Sequence, residues 1–136
     1  EPLQKKAPLL QKSLNTPIWR AGMNIKRGEV YLASLDPVMG REISKTRPVV
    51  IVSNDKNNEY SGTVTVLPIT SQHVQSIYPF EVFLSKGNAN LPKDSKAKAD
   101  QIRTLDKKRL VKNIGLLDGK ALNEIDKAIK IHLALY

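Results

Sequence analysis

Pro48-Val49-Val50-Ile51-Val52 is the feature that most constrains what this chain can fold into. Four consecutive β-branched apolar residues suit a pleated strand covered on both faces, because successive side chains leave opposite sides of the backbone. Pro48 fits the start of such a strand, where the ladder needs no donor. Directly upstream, Gly40-Arg41-Glu42-Ile43-Ser44-Lys45-Thr46-Arg47 is polar and reads as a loop. Glu42 and Arg47 are therefore expected at the rim of a rigid sheet, where binding and catalytic groups tend to sit.

The rest of the pattern is a series of short strands. Residues 29–35 oppose Val30, Leu32 and Ser34 to Tyr31, Ala33 and Leu35, and Asp36-Pro37 closes that strand with a turn. A loop is expected over 38–46, a strand over 48–53, a turn cluster over 54–58, and a strand over 63–69. A polar loop over 71–78 leads to a strand over 80–84 and a further loop over 86–93. Shorter strands are expected over 98–104 and 112–116, with one helical turn over 106–110 between them. Asp118 is a good cap for a terminal helix, and Leu122, Ile125, Ile129, Leu133 and Tyr136 give it one apolar stripe. Many short strands and one helix predict a small, curled antiparallel sheet, mainly β, and not a doubly wound fold.

A chain of 136 residues is one domain's worth. With no cysteine, disulfides, thiolate metal sites and cysteine nucleophiles are excluded, and no apolar run is long enough to span a bilayer. The net charge of +9 favours a polyanionic partner. Residues 1–22 stand apart as a leader. Pro2, Pro8 and Pro17 break any period there, and Lys5, Lys6, Lys12 and Arg20 face only Glu1. A flexible leader or tag, and a tethered peptide anchored by Trp19, are both open readings. The remaining domain is expected over 23–136.

Three boxes carry a family resemblance: Arg47-Pro48-Val49-Val50-Ile51-Val52-Ser53-Asn54, Val66-Leu67-Pro68-Ile69-Thr70-Ser71, and Asp100-Gln101-Ile102-Arg103-Thr104-Leu105-Asp106-Lys107-Lys108-Arg109-Leu110. In this order they resemble the MazF/PemK family of toxin endoribonucleases. The resemblance implies an SH3-like barrel of the PemK/CcdB type with a C-terminal helix. It also implies sequence-specific cleavage of single-stranded RNA through 2′-hydroxyl attack, leaving 2′,3′-cyclic phosphate and 5′-hydroxyl ends. A cytoplasmic homodimer is expected, whose RNA groove is covered by the C-terminal tail of a cognate antitoxin. Neither a metal nor another cofactor is expected, and no membrane association.

By the same resemblance Arg47, Thr70 and Glu42 take the catalytic positions. A guanidinium stays charged and offers several donors to phosphorane oxygens, so Arg47 suits charge stabilisation; its ordinary alternative is a salt bridge to Glu42 or Asp55. Thr70 is expected to bind phosphate through its hydroxyl, against the alternative of a hydroxyl satisfied by backbone. Glu42 is either a base for the 2′-hydroxyl or the group that orients Arg47, and the weak basicity of carboxylates favours the second. Substrate contacts are expected from Arg41, Ser44, Lys45, Ser71, Gln101 and Arg103, with bases read by the 42–46 and 71–78 loops. Lys45-Thr46 stands where the family often has glycine before Arg-Pro, which alters loop shape. His73 and His132 are the only histidines, one expected in a loop and one on the last helix, against a histidine-pair ribonuclease. Two other functions stay open: a non-catalytic toxin of this barrel that poisons a protein such as DNA gyrase, and a passive RNA-binding barrel.

Overall fold

Alternation along the apolar run becomes two separate cores in the computed structural model, which describes residues 24–136. The leader and Trp19 fall outside the described residues. Strand β2 (Thr46–Ile51) lies between β1 (Glu29–Ser34) and β3 (Thr63–Thr70), antiparallel to both. Val49 and Ile51 join Tyr31, Val64, Val66, Leu105 and Leu110 on one side. Val50 and Val52 join Val30, Leu67, Ile69, Val82 and Ile125 on the other. The run is continuously apolar because both faces of this strand are covered.

Among the described residues the order of the sheet is β4 (Glu81–Leu84), β5 (Ser95–Lys98), β3, β2, β1, β7 (Leu110–Leu116), with β6 (Arg103–Asp106) also on β3. This mainly β architecture with a C-terminal helix is the one expected, although the ladder is open, ending at β4 and β7. Its curl comes from β3. Thr63 to Val66 pair with β6, while Ile69 and Thr70 pair with β5 along the same edge. The stretch expected as one strand over 98–104 is therefore two, separated by a 3-10 turn at Ala99–Gln101. There the backbone leaves β3: Ala99 N donates to Phe80 O and Ile102 N to Ala99 O.

The expected turn over 54–58 is instead a short helix, α1 (Asp55–Tyr60), begun when the Asn54 side chain accepts from Asn57 N at 2.8 Å. Turn-forming Asn and Asp also cap helices, so local composition could not separate the two outcomes. Helix α2 (Gly119–Leu133) is capped by Asp118, which accepts from Ala121 N at 2.8 Å. Its buried stripe is Ala121, Ile125 and Ala128, with Leu122 and Ile129 only partly covered. Leu133 and Tyr136 from the expected stripe are exposed; the helix ends at Leu133, and Ala134 caps it in a left-handed conformation. Arg27 pins α2 to the sheet, donating to Asp126 at 2.6 Å and from Nε to Val52 O at 2.9 Å.

Gly115 on β7 sets how closely the Asn88–Asn90 turn approaches. A Cβ at Gly115 would lie 2.6 Å from the backbone oxygen of Ala89. Asn90 Nδ2 locks the same contact by donating to Ile114 O at 2.6 Å. Gly115→Ala is expected to cost about 1–3 kcal/mol of unfolding free energy through overpacking against backbone, read as a lower denaturant midpoint.

Candidate functional site

The loop between β1 and β2 is held mainly by side chains bonded to its backbone. Asp36 accepts from Lys45 N at 3.1 Å, and Leu35 N donates to Lys45 O at 3.0 Å. Lys45 takes a positive φ of 71°, a conformation unusual for a side chain of its kind. Glu42 Oε1 accepts from Met39 N at 2.7 Å while Glu42 N donates to Met39 O, closing a reciprocal turn. Its carboxylate therefore supports the loop and forms no ion pair with Arg47, contrary to the direct orienting contact expected. Asp55 does not pair with Arg47 either; it accepts from Arg27 N at 2.7 Å. Arg47 instead donates from Nε to Ser44 O at 2.7 Å. That bond fixes the plane of the guanidinium and leaves its two terminal nitrogens without a partner among the described residues.

Thr70 ends β3. Its Oγ1 accepts from Gln72 N at 3.1 Å, which leaves the hydroxyl proton free to donate. Thr70 faces Lys96 across the β3–β5 ladder. On its other side, β3 meets β2 through Ile51↔Val66, Val50↔Leu67 and Val49↔Pro68. Extending that register by two residues sets Arg47 opposite Thr70. Cross-strand partners share a face, so on that extension the guanidinium and hydroxyl belong to the same side of the sheet.

Two adjoining hollows open here. The larger, about 460 Å³, is lined by Arg41, Thr70, Gln101 and Ile43 from the expected regions. Gln72, His73, Lys96, Lys98 and Asp100 complete it. The smaller, about 390 Å³, shares Arg41, Asp100 and Gln101 and adds Glu42, Ile102 and Arg103. Arg47, Ser44, Lys45 and Ser71 line neither. Gln101 is not on a strand face as expected but in the 3-10 turn. Its amide accepts from Ile43 N at 3.3 Å and donates to Arg41 O at 3.4 Å, clamping the loop. Arg103 spends one nitrogen on Leu35 O at 3.3 Å. Lys96 and Lys98 were missed because 94–97 was assigned to no element and the strand was begun only at 98, whereas β5 covers Ser95–Lys98; their alternation, two residues apart before the Asp100-Gln101 box, was the available signal. Among the described residues no three His, Asp or Glu side chains are grouped to hold a metal ion.

Beneath the larger hollow lies a buried charge cluster. The Glu81 side chain is fully buried; Oε1 accepts from Lys96 Nζ at 3.0 Å and Oε2 from Lys98 Nζ at 2.7 Å. Oε1 also accepts from Tyr78 N at 3.0 Å, and Lys96 Nζ donates to Ser76 O at 2.9 Å. Burial alone pushes the Glu81 carboxyl up. The hydrogen bonds from Lys98, Tyr78 N and Lys96, with the Lys98 charge, outweigh it and hold the group below the usual carboxylate range. Beside this cluster Tyr78 stacks on Phe80 with ring centroids 5.5 Å apart, and remains 57 % exposed. Tyr31, by contrast, is buried in the core.

Residues 26–133 match the family described as PemK-like, MazF-like toxins of type II toxin–antitoxin systems. Endoribonuclease MazF9 of Mycobacterium tuberculosis is 40% identical over 117 residues, spanning 82% of this chain and 98% of that protein. The crystal structure of MazF from Deinococcus radiodurans superposes with a TM-score of 0.72 at 25% identity, covering 83% of this chain and 99% of that one. A mycobacterial endoribonuclease in complex with its cognate antitoxin gives 0.69 at 25% identity, covering 82% and 97%.

The depressed carboxyl of Glu81 makes stability pH-dependent with a definite sign. Its contribution is complete above the ordinary value of 4.5 and is lost as the pH falls through the lower folded-state value. Glu81→Gln, which leaves the buried Lys96 ammonium without a counter-charge, is expected to lower unfolding free energy by about 3–5 kcal/mol at neutral pH. The difference from the parent chain should shrink in acid, as measured by denaturant unfolding at a series of pH values.

Proposed function

This chain belongs to the family of PemK-like, MazF-like toxins of type II toxin–antitoxin systems and is an endoribonuclease, and we propose that it cuts single-stranded RNA at the rim shared by Arg47 and Thr70. With that assignment the readings as a gyrase poison or a passive RNA-binding barrel fall away. The reading is supported by a guanidinium whose terminal nitrogens have no partner among the described residues and a hydroxyl whose proton is free, set on one face of the sheet when the β2–β3 register is carried two residues past Val49↔Pro68.

In the proposed reaction the ribose 2′-oxygen attacks the adjacent phosphorus. The O2′–P bond forms as its proton passes to a base, and the P–O5′ bond breaks as O5′ takes up a proton. The products are a 2′,3′-cyclic phosphate and a 5′-hydroxyl. DNA lacks the attacking group and is not a substrate. The negative charge gathering on the equatorial oxygens is met by the two terminal nitrogens of Arg47 and the donated hydrogen bond of Thr70. Glu42 acts at one remove, by holding the turn that leads to Ser44, the residue on which Arg47 rests. No metal enters this scheme, because the charge stabilisation comes from side chains.

The partner is a cognate antitoxin. We place its tail across the hollows lined by Arg41, Lys96, Lys98 and Arg103, where carboxylates on the tail would compete with RNA phosphates. A homodimer in the cytoplasm is the working state in this proposal.

A long single-stranded RNA incubated with the protein in EDTA, with residues 1–22 present and removed, is expected to give discrete fragments with 5′-hydroxyl ends. Arg47→Ala and Thr70→Ala should each lower the cleavage rate by about 10²–10³-fold. Undiminished cutting by both variants, or dependence on an added divalent ion, would sink the mechanism.

A further inference from the structure

We propose that Glu81 is a positioning residue that fixes the 71–78 loop against the floor of the larger hollow and thereby sets which RNA sequence this toxin cuts. The inference rests on the endoribonuclease reading above and goes beyond it, because Glu81 touches no reacting atom.

The 71–78 loop leaves β3 at Thr70 and returns to the sheet at Glu81. Its first residues, Gln72 and His73, wall the hollow that Thr70 opens into. Its last residues have no strand partner, so something else must define their path. Glu81 does so twice. Directly, Oε1 accepts from Tyr78 N while Glu81 N donates to Tyr78 O at 2.8 Å, a reciprocal pair at the end of the loop. Through Lys96, the same oxygen holds an ammonium that donates to Ser76 O. The other oxygen holds Lys98, its partner across the β4–β5 ladder.

One buried carboxylate thus sets the height of the loop and the position of two cations lining the hollow. A fully desolvated carboxylate with three donors at 2.7 to 3.0 Å has little freedom to move, and its partners inherit that rigidity. The loop it fixes carries the groups suited to unstacked bases. Tyr78 is held from behind by Phe80 and keeps an exposed face, and Ile77 beside it is 40 % exposed. A ring with a fixed backbone and a fixed stacking partner is preorganised to receive a nucleobase. The scissile phosphate, by contrast, is met by Arg47, which rests on Ser44 O outside this loop, and by Thr70. Gln72 N engages Thr70 at the loop's first residues, away along the chain from the Ser76 and Tyr78 end that Glu81 holds. Disturbing Glu81 should therefore change site choice before it changes chemistry.

The test compares the parent chain, Glu81→Gln, and the milder Glu81→Asp, which keeps a counter-charge for the buried Lys96 ammonium but shortens the reach to Tyr78 N. Each folded protein, verified by its melting curve, is given one long RNA for end mapping. It is also given two short RNAs that differ by one base beside the cut. The expected result is 5′-hydroxyl ends at new sites, with discrimination between the short RNAs reduced by roughly 10–100-fold through KM while kcat on the preferred one is kept. An unchanged cut-site profile in both folded variants overturns the inference. An equal loss at every site, carried by kcat, overturns it too, since Glu81 would then serve the chemistry. If the parent chain itself cuts no RNA, the functional reading is what fails and the inference falls with it.

Discussion

The register of β2 against β3 is the constraint on which the rest of the structure depends. It is set by burial on both faces: slipping by one residue would exchange the Val49/Ile51 side with the Val50/Val52 side and misfit two cores of different shape. Carried two residues past its last pair, Val49↔Pro68, the same register sets Arg47 opposite Thr70 at the end of both strands. In the proposed mechanism the chemistry is thus positioned by apolar packing several residues away, on strands more rigid than a loop.

Around that fixed pair, the loops are held by backbone acceptors and donors more than by ion pairs. Ser44 O seats Arg47, Gln72 N engages Thr70, and Gln101 clamps both sides of residue 42. This matters for a site that must bind a polyanion. A guanidinium neutralised by a carboxylate would have to break that pair before meeting phosphate, whereas one resting on a carbonyl keeps its charge available. The paired cations, Lys96 and Lys98, share the single charge of one buried carboxylate beneath the hollow and serve shape as much as charge.

Most of the strands were legible in the sequence because their alternation is a local signal. So were the terminal helix and its Asp118 cap, and the three boxes carrying Arg47, Thr70 and Gln101. Illegible were the places where one local pattern admits two outcomes. Asn54 and Asp55 serve a turn or a helix cap equally well, and only the burial of Asn58 against Ser53 selects the helix. Gln101 alternates with Arg103 as in a strand, yet the chain turns there because β3 changes partners from β6 to β5.

By itself, then, the sequence determined which residues prefer to be covered, which backbone points can bend, and which family of chemistry the boxes carry, since each of these is a property of a short stretch. The tertiary structure decided what each polar group is spent on. Glu42 closes a turn, Gln101 clamps a loop, and Glu81 binds two lysines and the end of another loop, while Arg47 keeps its outer nitrogens free. Such assignments depend on which partners lie within three ångströms after folding. Partners brought together from residues as distant as 43 and 101 leave no periodic trace along the chain.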